Sequence, residues 1–171
     1  MCVACRRAVA DRSHRVDVSS ESSLATGFQQ FQTDFNNALD ICVPCAGINR
    51  HLPFLEFTYE AHQSLLSVNV VGLYFTAQLA ARQMIANGTK HGSIVLVASM
   101  ASHIAVRSQL CSAYCGSKAA VRGMCPAIAK ELAEYVSCTF HAPSLSANPV
   151  EYPRQLHLPR LRAHRDDCLR T

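Results

Sequence analysis

The chain has 171 residues, 49% of them hydrophobic and 16% charged, with a formal net charge of +4. That length holds one domain with a sizeable core and excludes two comfortable ones, and the balance of apolar and charged residues excludes a disordered chain. The arginines gather loosely near the two ends, at Arg6, Arg7, Arg160, Arg162 and Arg165, too diffusely for a nucleic-acid footprint, so no nucleic-acid partner is expected. No membrane partner is expected either, because no window is read as reaching the ~18 apolar residues of a span. The start, MCVACRRAVADRSHR, lacks the continuous apolar core of a secretory signal. Nine cysteines without such a signal read as reduced thiols, which places the chain in the cytoplasm.

Three stretches differ in character. Residues 1–18 form an atypical segment with a strand end expected around Val16 and Val18. Residues 19–135 are regular, and residues 136–171 are expected to be an irregular tail, with Pro143, Pro149, Pro153 and Pro159 breaking any long element. Within the regular part, Ser19 or Ser20 can cap a helix whose Leu24, Phe28, Phe31 and Phe35 share one face. Leu39 to Val43 predicts a short buried strand, followed by an Ala46-Gly47 turn. Thr58 can cap a long helical region with a stripe of Leu66, Val70, Leu73, Ala77, Ala80 and Met84, stopped by Asn87-Gly88. Ser93 to Ser99 (SIVLVAS) is apolar almost throughout, as strands buried on both faces are. A last helix is expected from Ser112 to about Tyr135, bent at Pro126, which cannot bond the carbonyl of Arg122. This alternation predicts an α/β fold with a parallel sheet, the strands at 39–45 and 93–99 being neighbours joined through the 58–86 helical region.

Tyr114 and Lys118 stand at i and i+4 on that last helix and can face one cleft. Making a phenol of reference pKa near 10 useful at neutral pH requires a drop of ~2–3 units. An ammonium ~4 Å away at an effective dielectric of ~20 supplies about 4 kcal/mol, enough for that drop. Ser99 ends the strongest strand at the carboxyl edge, where open α/β sheets place their ligands, and its hydroxyl can donate to the oxygen that the tyrosine protonates. Asn69 interrupts the long helix within VNVVG, where a freed backbone group can hold a water behind the lysine.

These segments carry a family resemblance. LDICVPCAG, SVNVVG, GSIVLVASMAS and AYCGSKAAV, between Leu39 and Tyr135, resemble in order and spacing the short-chain dehydrogenase/reductase family, with fungal sugar and polyol reductases acting on sorbose or xylulose closest in look. The resemblance implies a partial Rossmann-like, doubly wound parallel sheet and an NADP- or NAD-dependent exchange between a small-molecule ketone and a secondary alcohol. It implies Tyr114 as acid/base, Lys118 as the group that lowers its pKa and holds the nicotinamide ribose, Ser99 as the residue orienting the substrate carbonyl, and Asn69 as the anchor of a proton relay. It also implies cofactor contacts at Asp17 and Val18 beside the adenine ring and at Cys45, Ala46 and Gly47 along the adenosine ribose. Subunit pairing, as a homo-oligomer or with intact relatives, is implied through the helices at 70–86 and 114–132.

The departures set further expectations. Gly27 is the only glycine before Gly47, so the first strand–Gly-loop–helix unit that would cradle the pyrophosphate has no counterpart. Pro44 and Cys45 stand where the family has two asparagines, and Pro44 removes a ladder donor. With the central first strands and the sixth strand missing, both neighbouring strands are expected to have an unpaired side. The chain alone is then expected to aggregate and to neither bind the nucleotide tightly nor turn over. Two other functions compete: a catalytically inactive remnant that docks onto intact relatives, and a cysteine-based redox or zinc protein built on Cys2-x-x-Cys5 and Cys42-x-x-Cys45. The second is disfavoured, because the latter pair closes a strand instead of opening a helix and the two pairs lie far apart. No metal ligands are assigned.

Overall fold

The computed structural model describes residues 2–4, 14–105 and 109–141. The first ordered helix, α1 (Glu21–Asp34), starts where the Ser20 hydroxyl accepts the Ser23 N–H, and buries Leu24, Phe28 and Phe31. β2 (Ile41–Val43) and β3 (Gly92–Val97) are parallel neighbours, in register at Ile41↔Ser93 and Cys42↔Ile94, as the apolar runs predict. Between them lies a helical stretch in three parts: α2 (Tyr59–Leu66), a π-turn (Ser67–Gly72) and α3 (Leu73–Ala86). Thr58 caps its start, and Asn87 with Gly88 at φ 61° ends it. α4 (Ser112–Glu131) runs on through Pro126 and stops four residues short of the expected Tyr135, in a turn over residues 132–135.

Two edges differ from expectation. β4 (Val136–His141) pairs in parallel with β3 along its whole length, from Gly92↔Val136 to Val97↔His141. The sixth-strand position is therefore filled, and the irregular tail expected from 136 cannot begin before 142; residues 142–171 lie outside the described residues. Val136 and Cys138 face the core while Ser137 and Thr139 are half-buried, the alternation of a strand covered mainly on one face. On the other side, β1 (Cys2–Ala4) pairs antiparallel with β2, so β2 has no open edge there. The sheet order is β1-β2-β3-β4. This removes the unpaired edges on which the expectation of aggregation rested.

The strand end expected at Val16–Val18 is not in the sheet. Residues 14–17 are irregular and Val18 begins a turn, its side chain buried against the π-turn. A β-carbon placed on Gly72 would stand 2.6 Å from the Val18 carbonyl oxygen and 2.8 Å from its Cγ2. Gly72→Ala would gain ~1 kcal/mol of helix propensity, but overlap with a backbone oxygen costs ~1–3 kcal/mol. The variant is expected to unfold at lower urea, and an unchanged or raised midpoint would count against this contact.

The helical stripe is also offset. Leu65 and Asn69 are fully buried where Leu66 and Val70 were expected, while Leu73, Ala77, Ala80 and Met84 are buried as the pattern predicts. A π-turn adds a residue to its turn and so rotates the face on either side relative to a straight 3.6-residue helix. Tyr59–Ala86 as a whole is 28 residues with a window of mean hydropathy 1.4, long and apolar enough by length and composition to cross a bilayer, which corrects the reading that no window is. It buries Asn69, Thr76 and Gln83 and packs α3 against β2 and β3, so it is read as a core helix.

Candidate active site

The site lies where β3 ends and α4 begins. Lys118, one turn below Tyr114 on α4, is only 3% exposed, and its Nζ donates to the carbonyl of Val97, the last residue of β3, at 2.8 Å. The ammonium stands 5.8 Å from the centroid of the Tyr114 ring, so the helical spacing does bring the pair together. Burial lowers the Lys118 pKa from its ordinary value, an effect partly offset by the neighbouring Cys45 side chain. Two residues beyond Val97, Ser99 is half-buried and caps a short 3-10 turn (Met100–Ser102). Its hydroxyl accepts the Ala101 N–H at 3.2 Å, and its carbonyl accepts the Ser102 hydroxyl at 2.6 Å. The Ser99 hydroxyl proton thus remains available to a ligand.

Asn69 sits in the π-turn, completely buried. The long helix is interrupted there, as expected, but its side chain does more than the sequence implied. Its Oδ1 accepts the Ile48 N–H at 2.8 Å, while Nδ2 donates to the Ile48 carbonyl at 2.9 Å and to the Ser117 hydroxyl at 3.1 Å. The turn after β2 is thereby clasped to the helix. A β-carbon on Gly47 would lie 3.4 Å from Asn69 Oδ1 and 3.6 Å from Lys118 Nζ, so Gly47, Asn69 and Lys118 share one surface.

The remaining proposed cofactor contacts divide. Val18, Cys45 and Ala46 come together with Pro44, Leu73 and Thr76 around one apolar crevice. Asp17 is exposed and turned onto its own chain: its carboxylate accepts the Ser19 N–H and hydroxyl at 2.9 and 2.7 Å, which hold it below the usual carboxylate range. Pro44 follows β2 instead of interrupting it, so it costs no ladder bond. At the start of α4 opens a cavity of about 340 Å³ lined by aromatic Phe54, Phe57, Tyr59 and His62 together with Thr58, Ser112 and Ala113; Tyr114 is not part of its lining. The connection between β3 and α4 is described except at residues 106–108; in it His103 Nδ1 accepts from Arg122 Nη1 at 3.1 Å, a surface contact. Cys42 is buried in β2 and Cys45 exposed beyond it, so the two do not present a thiol pair on one surface. Among the described residues no group of three His, Cys, Asp or Glu side chains could hold a metal; Cys5 lies outside them.

The family model described as short chain dehydrogenase matches residues 6–153. The chain belongs to the short-chain dehydrogenase family. It is 34% identical over 118 residues to a short-chain dehydrogenase/reductase of Aspergillus versicolor, covering 69% of this chain and 40% of that protein. It is 34% identical over 119 residues to the 3-oxoacyl-[acyl-carrier-protein] reductase of Chlamydia pneumoniae, covering 70% and 46% respectively. Among solved structures, a gluconate 5-dehydrogenase from Burkholderia cenocepacia in complex with NADP and tartrate aligns with a TM-score of 0.66 at 31% identity, over 74% of this chain and 48% of that one. The chain thus spans less than half the length of these relatives. Its fold is the α/β, Rossmann-like one of the family, represented by three parallel strands with their helices and the antiparallel β1.

Ser117 is the site residue that sequence reasoning missed. A serine beside the lysine gives no signal by composition or period; only its burial and its bond to Asn69 single it out.

Proposed function

We propose that this chain carries the proton-handling half of an NADP- or NAD-dependent oxidoreductase that interconverts a ketone and a secondary alcohol. The observation that carries this reading is the buried Lys118 ammonium, tied to Val97 two residues ahead of Ser99 and facing both Tyr114 and Gly47. A buried cation with one hydrogen bond to backbone and, among the described residues, no carboxylate partner is costly unless it serves a ligand or a reacting group.

The residues fit one end of a nicotinamide dinucleotide. Lys118 has three N–H donors and gives one to Val97, leaving two for ribose hydroxyls beside the open Gly47 turn. The apolar crevice lined by Val18, Cys45 and Ala46 has no room for a water-sized molecule, so a base would have to lie against its rim. Among the described residues no glycine turn is aimed at a pyrophosphate: Gly27 lies inside α1 packed against Val16. When bound, the dinucleotide supplies the hydride. The chain's own part is to deliver a proton. The Tyr114 phenol donates its O–H to the ketone oxygen, Ser99 donates a second hydrogen bond to the same oxygen, and the Lys118 ammonium stabilises the phenolate left behind.

A hydroxylated ketone of the ketose or polyol class is the proposed substrate, in keeping with the resemblance to fungal sorbose and xylulose reductases. Thr58, His62 and Ser112 place polar groups among the aromatic walls of the cavity at the start of α4. Pairing with a second copy or an intact relative belongs to the same proposal, because Val71, Tyr74 and Phe75 leave apolar surface exposed along the 70–86 helix. So does a cytoplasmic location.

One experiment separates the readings. The purified chain is assayed with NADPH and with NADH, each up to millimolar concentration, against ketoses, lipophilic ketones and a 3-oxoacyl thioester. With β2 and β3 each paired on both sides, ketose reduction with weak cofactor affinity replaces the absence of turnover as the expected result, and Ser99→Ala should lower kcat ~10²–10³-fold as an oxyanion-type donor does. Preference for the lipophilic ketones or the thioester would refute the substrate class. A folded chain with no nucleotide-dependent turnover would leave the inactive-partner reading standing.

A further inference from the structure

Ser117 lies on α4 between Tyr114 and Lys118 in sequence, and it is completely buried. Its hydroxyl has two partners of opposite kind: it accepts from Asn69 Nδ2 at 3.1 Å and donates to the Tyr114 carbonyl at 2.8 Å. The direction of both bonds is forced. Nδ2 can only donate, and a carbonyl can only accept. The Asn69 amide is equally fixed, because Ile48 presents it with an N–H and a C=O together. A single oriented chain of hydrogen bonds therefore runs from the Ile48 backbone through Asn69 and Ser117 to the peptide of Tyr114. It joins three elements: the turn after β2, the π-turn and the first turn of α4.

A serine that merely turns back onto a carbonyl three residues earlier is an ordinary way to satisfy a buried hydroxyl. The contact with Asn69 is what sets this one apart. Lys118 is held at its tip by Val97, on the sheet. Tyr114 is in the first turn of α4, whose cap residue Cys111 makes no side-chain capping bond. That turn has no side-chain cap to resist fraying, and the Ser117 hydroxyl is the polar tie that fastens the Tyr114 peptide to the π-turn.

We propose that Ser117 is a positioning residue, which through Asn69 sets the place of Tyr114 relative to Lys118 and the Gly47–Ile48 turn. The proposal rests on the catalytic reading of Tyr114 given above. Its test uses the full chain with Ser117→Ala, Ser117→Thr and the size-preserving Ser117→Cys, read three ways: by the pH profile of kcat, by KM, and by the ring resonances of tyrosine-labelled protein, with Tyr114 assigned from Tyr114→Phe. Ser117→Ala is expected to lower kcat about tenfold with KM nearly unchanged, to move the pH profile and to shift the Tyr114 resonances, a coupling of ordinary size for groups in one network. Ser117→Thr should restore all three, and the effect of Ser117→Ala should vanish in an Asn69→Ala background. If Ser117→Ala does not fold, Ser117→Cys is read in its place.

Loss of stability with kcat, pH profile and Tyr114 resonances unmoved would make Ser117 a packing residue and overturn the proposal. Equal effects of Ser117→Ala with and without Asn69 would overturn it too. A parent chain without turnover refutes the catalytic reading by itself, and the Tyr114 resonances then decide on Ser117 alone: a shift supports the positioning link, no shift overturns it.

Discussion

Replacing Tyr114 with phenylalanine is expected to reduce ketone reduction by about 10³-fold in kcat, within the 10²–10⁴-fold range of a positioned general acid. The fold should survive, because Tyr114 is half-buried at the start of α4 and its ring, which phenylalanine keeps, makes the contact with the Lys118 ammonium. Only the proton is lost. The ketone oxygen would then develop its charge against the Ser99 hydroxyl alone. KM for the ketone should change little, since the phenol acts on the oxygen as it gains charge, not on the ground state. Steady-state kinetics beside far-ultraviolet circular dichroism checks both halves. Retention of more than a tenth of kcat in a folded variant would remove Tyr114 from its role.

Much of the fold could be read from the sequence, because its signals are local. Ser20 and Thr58 are capping residues at the mouths of apolar helical patterns, and both accept the expected backbone N–H. The run at Gly92–Val97 is apolar because neighbouring strands cover both edges and helices pack on it, and it is the centre of the parallel set. Elements whose existence depends on a partner were harder. β1 is three residues long, too short for any period, and exists through its pairing with β2. β4 did carry an alternation of Val136, Cys138 and Phe140 with Ser137 and Thr139, but the prolines that follow from Pro143 masked it. Val16–Val18 carries the same kind of alternation, yet Val18 fills the space left by the missing side chain of Gly72 and joins no strand.

The site divides along the same line. Tyr114 and Lys118 meet because they share a helix, so their spacing alone predicts their contact. Asn69 was legible as a break in the helix but not as a clasp, since its partners Ile48 and Ser117 are distant in sequence. Asp17 is placed beside a cofactor by resemblance, whereas an Asp with a Ser two residues on favours a turn closed on itself, and that is what forms. An adenine ring would have to compete with Ser19 for that carboxylate.

Lys118→Met should separate function from stability more sharply than any other single change. Methionine matches the length of the lysine stem and fills the same buried space without a charge. Turnover is expected to fall at least ~10²-fold and the affinity for the nicotinamide nucleotide to weaken, because both the stabilised phenolate and the ribose donors are lost. Stability should move the other way. Burial holds the Lys118 pKa below its ordinary 10.5, so the unfolded chain binds the proton more tightly than the folded one. The parent chain therefore carries the cost of a buried ammonium at neutral pH. That cost is relieved as pH rises through the lowered folded value toward 10.5, where stability should climb relative to the variant. Against this stands the bond to the Val97 carbonyl, worth about 1.5–3 kcal/mol for a charged donor. The depressed pKa means that the environment still favours the neutral amine with that bond in place, and a neutral amine can keep donating it. Replacing a buried charge by an apolar side chain of similar volume typically gains up to ~1–4 kcal/mol, so the variant at pH 7 should be at least as stable as the parent. Urea unfolding of both proteins at pH 7 and at alkaline pH measures this. A variant clearly less stable at pH 7, with a difference that does not change as pH rises, would show that Lys118 is held in place as a structural donor and not kept, at a cost to the fold, for the reaction.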